Sequence, residues 1–196
     1  PKDALAAVPL PADAAVIRAA AKAARFEGEA GGVFEQHISH GDGAQRILLV
    51  GIGSASADDM EKAGAVVTAR LQVSGETQAS FDLSGLAIKP SADAVARMAA
   101  GAVLRGWRYD AYRTKLPEKQ KPTLGEIVIV GAPEGIEGAW TRQSAVVEGV
   151  SLTRELVTEP ANVIYPETFV ARCDRLRALG VEIEVLGEAE MQSAGM

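Results

Sequence analysis

A helical pattern from about Glu137 to Thr158 stops on Glu159-Pro160-Ala161-Asn162-Val163, and a second proline follows at Pro166. Proline fixes its own φ and pushes the residue before it out of the helical region, so this pair predicts an extended, stiff connector. Such a joint divides the chain into an α/β domain over residues 1-158, a linker over 159-166 and the opening of a second α/β domain over 167-196, cut short at Met196. The chain starts on Pro1 rather than Met, which is read as a natural start removed or not included.

Before the joint, helical and strand-like runs alternate, the pattern of helices layered on a mixed sheet. Ala4 to Leu10 reads as a short first strand, and Ala12 to Arg25 as an Ala-rich helix with Ile17, Ala20, Ala21 and Ala24 along one face. A strand from Gly32 to Ile38, a turn at His40-Gly41-Asp42-Gly43 and a strand over Arg46 to Val50 predict a hairpin whose second member is fully buried. Ser56 followed by Asp59 has the form of a capping box, and Met60, Ala63, Gly64, Val67 and Leu71 then recur at helical spacing.

Ser80 to Ile88 is a weaker strand, ended by Lys89-Pro90. Ala92 to about Tyr112 predicts a helix with Val95, Met98, Ala99, Ala102 and Val103 as its apolar stripe and Arg97, Arg105 and Arg108 opposite. Lys115 to Leu124, with two prolines and four charged residues, reads as an exposed loop before a buried strand over Glu126 to Val130. Past the joint, Pro166 to Gly180 predicts a helix with Phe169, Val170, Cys173 and Leu176 on one face. Val181 to Leu186 alternates as a strand with one buried face would.

Composition narrows function more by exclusion than by assignment. The chain has 196 residues, 47% hydrophobic and only 5% aromatic, enough for a core but poor in recognition aromatics. A net charge of -6 opposes nonspecific nucleic-acid binding, and the basic residues of Arg105 to Lys121 read as a solvated helix end and loop. A lone Cys173 excludes an internal disulfide and, with His37 and His40, supplies no structural zinc set, so a reducing, cytoplasmic setting is expected. No apolar run is long enough for a membrane span, and no signal-peptide pattern opens the chain.

Gly51-Ile52-Gly53-Ser54-Ala55-Ser56 lies between a strand and a helix, where backbone N–H groups could cradle a phosphate. The dinucleotide fingerprint wants glycine where Ser56 stands, so a packing turn is the leading reading and a nucleotide pocket the second. Asp58 and Asp59 read as complements to the helix dipole rather than metal ligands. His37 and His40, three apart on a strand, point to opposite faces and do not share a metal. Cys173 reads as a buried structural thiol, and Trp107, Tyr109 and Tyr112 as anchors of a helix end.

Four segments in order resemble one family. Phe26-Glu27-Gly28-Glu29-Ala30-Gly31, Arg46 to Gly53, Gly101 to Lys115, and Glu148 to Val163 with Tyr165-Pro166-Glu167-Thr168-Phe169 are similar to the N-terminal region, inter-domain helix and linker of the leucyl (cytosol) aminopeptidases. The resemblance implies a macrodomain-like N-terminal domain followed by the start of the catalytic domain. It further implies a cytoplasmic hexameric parent that removes N-terminal residues from peptides with two divalent metals, manganese or zinc, and a family in which some members bind DNA. The family's metal-ligand segments, Gly-Lys-Gly-x-x-Phe-Asp and Asn-Thr-Asp-Ala-Glu-Gly-Arg, are absent from this sequence, so no catalytic, cofactor-binding or metal residue is assigned and no metal is expected on these residues. A stand-alone macrodomain-like module binding a nucleotide or ADP-ribose near Gly51 to Ser56 is the alternative.

Overall fold

The computed structural model describes residues 14–196. The strand expected over Ala4 to Leu10 lies outside the described residues, as does the start of the helix expected from Ala12. The chain forms two compact units, the first running to Ser151 and the second spanning Leu152–Met196.

In the first unit, α1 (Ala14–Ala23) precedes a hairpin of β1 (Val33–His40) and β2 (Gly43–Val50). The strands are antiparallel, with Phe34 opposite Leu49 and Gln36 opposite Ile47. Strand side chains alternate between faces, so Phe34, Ile38, Ile47 and Leu49 share one face, and α1 lays Ile17 and Ala21 on it. Those two residues are one helical turn apart, and both are fully buried. The expectation of a fully buried β2 is corrected: only Leu49 is buried and Gly43 to Gln45 are exposed. The opposite face carries the 2.9 Å ion pair between Arg46 and Glu35.

The following helix, α2 (Ala57–Leu71), buries Met60, Ala63, Gly64, Val67 and Leu71 as its spacing predicts, with Thr68 beside them. Its partner is α3 (Ala92–Gly106), N-capped by Ser91, whose hydroxyl accepts the Ala94 N–H at 3.2 Å. Gly64 and Gly101 set how closely these helices cross. A Cβ on Gly64 would lie 1.9 Å from the Met98 carbonyl oxygen, and one on Gly101 would lie 2.2 Å from that of Glu61. Residues 64 and 101 must therefore both lack a side chain for the backbones to meet.

Two details of α3 differ from expectation. It stops at Gly106 rather than Tyr112, because Trp107 takes an extended conformation with ψ 131°. It also buries Ala94, Val95, Ala96, Met98, Ala100, Gly101 and Ala102, which occupy most of its circumference. Val103 falls in the remaining arc and is 49% exposed. Arg97 does not lie opposite the packed face but reaches α2, pairing with Glu61 and with Asp58.

β3 (Gln78–Asp82) and β4 (Glu126–Val130) pair in parallel, Phe81 opposite Ile129. β3 is shorter than the expected Ser80 to Ile88: after Asp82, its carboxylate accepts the N–H and hydroxyl of Ser84 and turns the chain. β4 is half-buried rather than buried, with Val130 45% exposed. Phe81, Ile129 and Leu83 pack with Met60, Val95 and Met98 in the larger core. Instead of one mixed sheet, the described residues carry two separate two-stranded sheets, one antiparallel and one parallel. α4 (Ile136–Thr158) then runs for 23 residues and buries only Ala139 and Val147.

The second unit takes up the end of α4, a turn, α5 (Pro166–Cys173), a 3-10 turn over Asp174–Leu179 and α6 (Glu188–Ser193). The connector is not extended. The Pro160 carbonyl accepts the N–H groups of Val163 and Ile164 at 2.8 and 3.0 Å, folding the segment into a turn that proline's missing N–H does not obstruct. Gly180 closes the 3-10 turn in the left-handed region, φ 86°. No residue of α5 is buried, and Phe169 is 48% exposed, so the expected apolar face lacks a core within this unit. Val181 to Leu186 is not a strand here, since a strand needs a ladder partner and the described residues offer none.

Candidate functional site

The glycine turn after β2 was the strongest sequence candidate for ligand binding, and its backbone donors are already engaged. Gly53 N–H donates to the Gly28 carbonyl at 3.1 Å, and Ala55 N–H donates to the Ile52 carbonyl at 2.7 Å. Between them, Ser54 N–H donates to Asp59 Oδ2 at 3.0 Å, and the Ser54 hydroxyl donates to the same oxygen at 2.7 Å. Three consecutive amides that a phosphate would need are thus occupied, and a carboxylate sits where the anion would go.

Asp59 was expected to close a capping box on Ser56. Half of that arrangement forms: Asp59 N–H donates to Ser56 Oγ at 3.3 Å. The Asp59 side chain turns instead to Ser54. The Ser54 hydroxyl and then its N–H hold the Asp59 carboxyl below its ordinary pKa against a partial desolvation cost. Gly53, at φ 52°, is required here twice over, because a Cβ would come 2.8 Å from Asp59 Oδ2.

The same turn is braced from the other side by Gly28 to Gly32. Gly31 N–H donates to the Gly51 carbonyl at 3.0 Å and Gly51 N–H to the Gly32 carbonyl at 2.8 Å. A Cβ on Gly51 would lie 1.9 Å from the Glu29 carbonyl oxygen. The two glycine-rich segments singled out by resemblance therefore form one interlocked junction, and Ala55 beneath it belongs to the core. The packing reading of Gly51 to Ser56 stands on this geometry.

The remaining candidates are scattered. His37 is exposed on β1 opposite Arg46, and His40 ends that strand opposite Gly43. Asp58 is exposed and pairs with Arg97 at 3.4 Å. Trp107 stacks on Tyr109 with ring centroids 6.3 Å apart, and Tyr112 meets Tyr109 edge-on at 5.9 Å. Arg108 Nε donates to Asp110 at 2.6 Å and lowers the pKa of that carboxyl. This aromatic run follows the end of α3, with Trp107 and Tyr109 half-buried and Tyr112 58% exposed. Cys173 is half-buried rather than buried.

A pair of hard divalent ions needs several converging carboxylates with free lone pairs. Five carboxylates are committed elsewhere: Asp59 to Ser54, Asp82 to Ser84, Asp110 to Arg108, and Glu155 and Glu159 to Arg172. Among the described residues no group of three His, Cys, Asp or Glu side chains could hold a metal ion. The described residues do not fit a two-metal centre.

Within the second unit, sequence reading missed one polar cluster. Arg172 of α5 donates to Glu155 at 2.5 Å and to Glu159 at 3.3 Å, which ties the end of α4 to α5 across the proline turn. The Glu159 side chain is only 7% exposed, and the Glu155 hydrogen bond heads the causes that raise the Arg172 pKa. Thr168 reinforces the joint, accepting the Tyr165 N–H at 2.9 Å and donating to the Val163 carbonyl at 2.8 Å. Only the turn itself makes these residues neighbours, so their spacing carried no signal beyond the charges.

Comparison with known proteins gives this scaffold its relatives. Residues 6–116 match the model for the cytosol aminopeptidase family, N-terminal domain. A probable cytosol aminopeptidase of Rhizobium leguminosarum bv. trifolii is 35% identical over 189 residues, covering 93% of this chain and 38% of the relative. One from Caulobacter vibrioides is 36% identical over 178 residues, covering 88% and 35%. Among solved structures, a mutant of tomato leucine aminopeptidase superposes with TM-score 0.75 at 23% identity, over 94% of this chain and 38% of that one. The bottromycin maturation enzyme BotP in complex with Mn superposes with TM-score 0.68 at 24% identity, over 96% and 38%. The chain thus spans little more than a third of the relatives it matches, and it matches them at their N-terminal domain. It belongs to the cytosol aminopeptidase family.

Proposed function

We propose that this chain is the non-catalytic N-terminal portion of a leucine-type metallo-aminopeptidase, whose two metal ions are held by carboxylates outside these residues. The carrying observation is the pairing of a family match over residues 6–116 with the finding that, among the described residues, no group of three His, Cys, Asp or Glu side chains is placed to hold a metal ion. In this reading the first unit is a macrodomain-like scaffold used in assembly. The chain from the proline turn onward is the opening of the catalytic domain, and the parent is a cytoplasmic hexamer acting on peptides. The exposed Phe169, Val181 and Val185 fit a segment whose apolar side is completed by further polypeptide.

The test is the coding sequence beyond Met196. The expected result is the pair of carboxylate-rich segments, Gly-Lys-Gly-x-x-Phe-Asp and Asn-Thr-Asp-Ala-Glu-Gly-Arg, in one reading frame with this chain. A native stop after Met196 would refute the proposal. Titration calorimetry with ADP-ribose checks the nucleotide alternative and is expected to give no binding heat, because the amides of Gly53, Ser54 and Ala55 are taken.

A further inference from the structure

The hairpin of β1 and β2 closes on two residues. Its register pairs His40 with Gly43, which leaves Gly41 and Asp42 as the turn. Gly41 takes φ 57° while Asp42 stays out of the positive-φ region, the pattern of a type II′ turn with glycine first. Residues 41–45 are exposed and belong to neither hydrophobic core, so the tip is held by little besides its own ladder and frays first.

Asp42 differs from the other described aspartates in two ways. Asp58 is held by Arg97, Asp59 by Ser54, Asp82 by Ser84, Asp93 by Arg142, Asp110 by Arg108 and Asp174 by Arg177. No hydrogen bond or ion pair among the described residues restrains the Asp42 carboxylate. Its successor is also unlike theirs, because Asp42-Gly43 is the one Asp-Gly step in the sequence. Glycine has no Cβ to shield its backbone nitrogen, and it turns most freely into the conformation that brings that nitrogen to the preceding carboxyl group.

We propose that Asp42 is a site of spontaneous backbone rearrangement to isoaspartate. With the hairpin tip frayed, the Gly43 nitrogen attacks Cγ of the protonated Asp42 carboxyl group. The N–Cγ bond forms, the nitrogen's proton and the Cγ hydroxyl leave as one water, and a five-membered succinimide closes. Water then adds back at either ring carbonyl, and the nitrogen regains its proton. Opening at Cγ restores aspartate. Opening at the main-chain carbonyl carbon leaves the peptide running through Cβ and Cγ, with a free α-carboxylate. Mass and charge are unchanged, but the turn has gained a methylene and the closing pair of His40 and Gly43 no longer keeps its register.

Peptide mapping of the aged chain tests this. The whole chain is held at neutral pH for several weeks and then cut with trypsin under mildly acidic conditions; cleavage after Arg25 and Arg46 releases a peptide whose one aspartate is Asp42. Electron-transfer fragmentation, which distinguishes the two linkages, should find isoaspartate at position 42 growing with time and ahead of every other aspartate. The aged chain should also accept methyl groups from an isoaspartyl carboxyl methyltransferase. Asp42→Glu, whose ring would need six members, and Gly43→Val, whose branched Cβ shields the nitrogen, should each lose the signal while thermal unfolding stays cooperative. Absence of isoaspartate at position 42 in the aged chain would overturn the proposal, as would its earlier appearance at another aspartate. Persistence at the parent rate in Gly43→Val would overturn the mechanism as well.

Discussion

The crossing of α2 and α3 at Gly64 gives the sharpest test of how this scaffold is held. In Gly64→Ala the new methyl would lie 1.9 Å from the Met98 carbonyl oxygen and 2.8 Å from its carbon, where ordinary contact begins near 3.4 Å. Neither atom belongs to a movable side chain, so the two helices must part by roughly 1.5 Å. That gap loosens Met60, Ala63, Val67, Met98 and Ala102 together, and overpacking of this kind costs about 3 kcal/mol at the upper end of its usual range. Alanine's better helix propensity returns about 1 kcal/mol, leaving a net loss of ~2 kcal/mol. For a unit of about 150 residues this lowers the melting temperature by roughly 4–8 °C. Thermal unfolding followed by circular dichroism reads it directly. Gly149→Ala in α4 is the control, since nothing lies within 4 Å of its new methyl, and it should be neutral or stabilising by up to ~1 kcal/mol. If Gly64→Ala melts at or above the parent temperature, the close-crossing argument is wrong.

Other substitutions probe the caps and the joint. Asp59→Asn should lower the urea midpoint at pH 7, with the deficit fading on acidification. The Asp59 carboxyl has a depressed folded-state pKa, so its contribution exists above the ordinary value of ~3.9 and disappears as pH falls through the folded one. A deficit independent of pH between 7 and 2 would show that Asp59 acts sterically. Ser91→Ala removes the hydroxyl that caps α3 and should cost about 1 kcal/mol by chemical denaturation; no change would mean another group caps Ala94 N–H. Arg172→Met removes the cation that ties Glu155 and Glu159 to α5, so amides from 155 to 173 should exchange faster while α2 and α3 do not change. Equal exchange throughout would show the ion cluster to be decorative.

Periodicity made α2 legible, because its stripe from Met60 to Leu71 faces one large core and nothing competes with it. The same logic overran α3. Arg108 to Tyr112 continue a helical pattern in composition, but aromatic stacking among Trp107, Tyr109 and Tyr112 stabilises the chain after it has left the helix. A single apolar stripe puts Val103 inside, whereas α3 is buried on most sides and leaves Val103 in the open arc. Val181 to Leu186 alternates as a strand does, yet alternation says nothing about whether a neighbouring ladder exists. Pro160 signalled a break correctly; its direction depended on the hydrogen bonds its carbonyl accepts, which the residue type does not encode.

At the candidate site, the glycines of the turn after β2 were visible in sequence, and so was the choice between packing and phosphate binding. What decided it was the path of one carboxylate. Asp59 sits five residues beyond Ser54, and only the left-handed turn at Gly53 and Ala55 brings them together. The Gly64 and Gly101 contacts were equally hidden, since each requires knowing which backbone lies opposite.

Peptidase assay of the purified chain addresses the central claim most directly. Incubated with Mn²⁺ or Zn²⁺ and Leu-p-nitroanilide, these 196 residues should release p-nitroaniline no faster than the metal ions alone. Metal-dependent turnover that tracks the chain through purification and vanishes with a chelator would contradict the account.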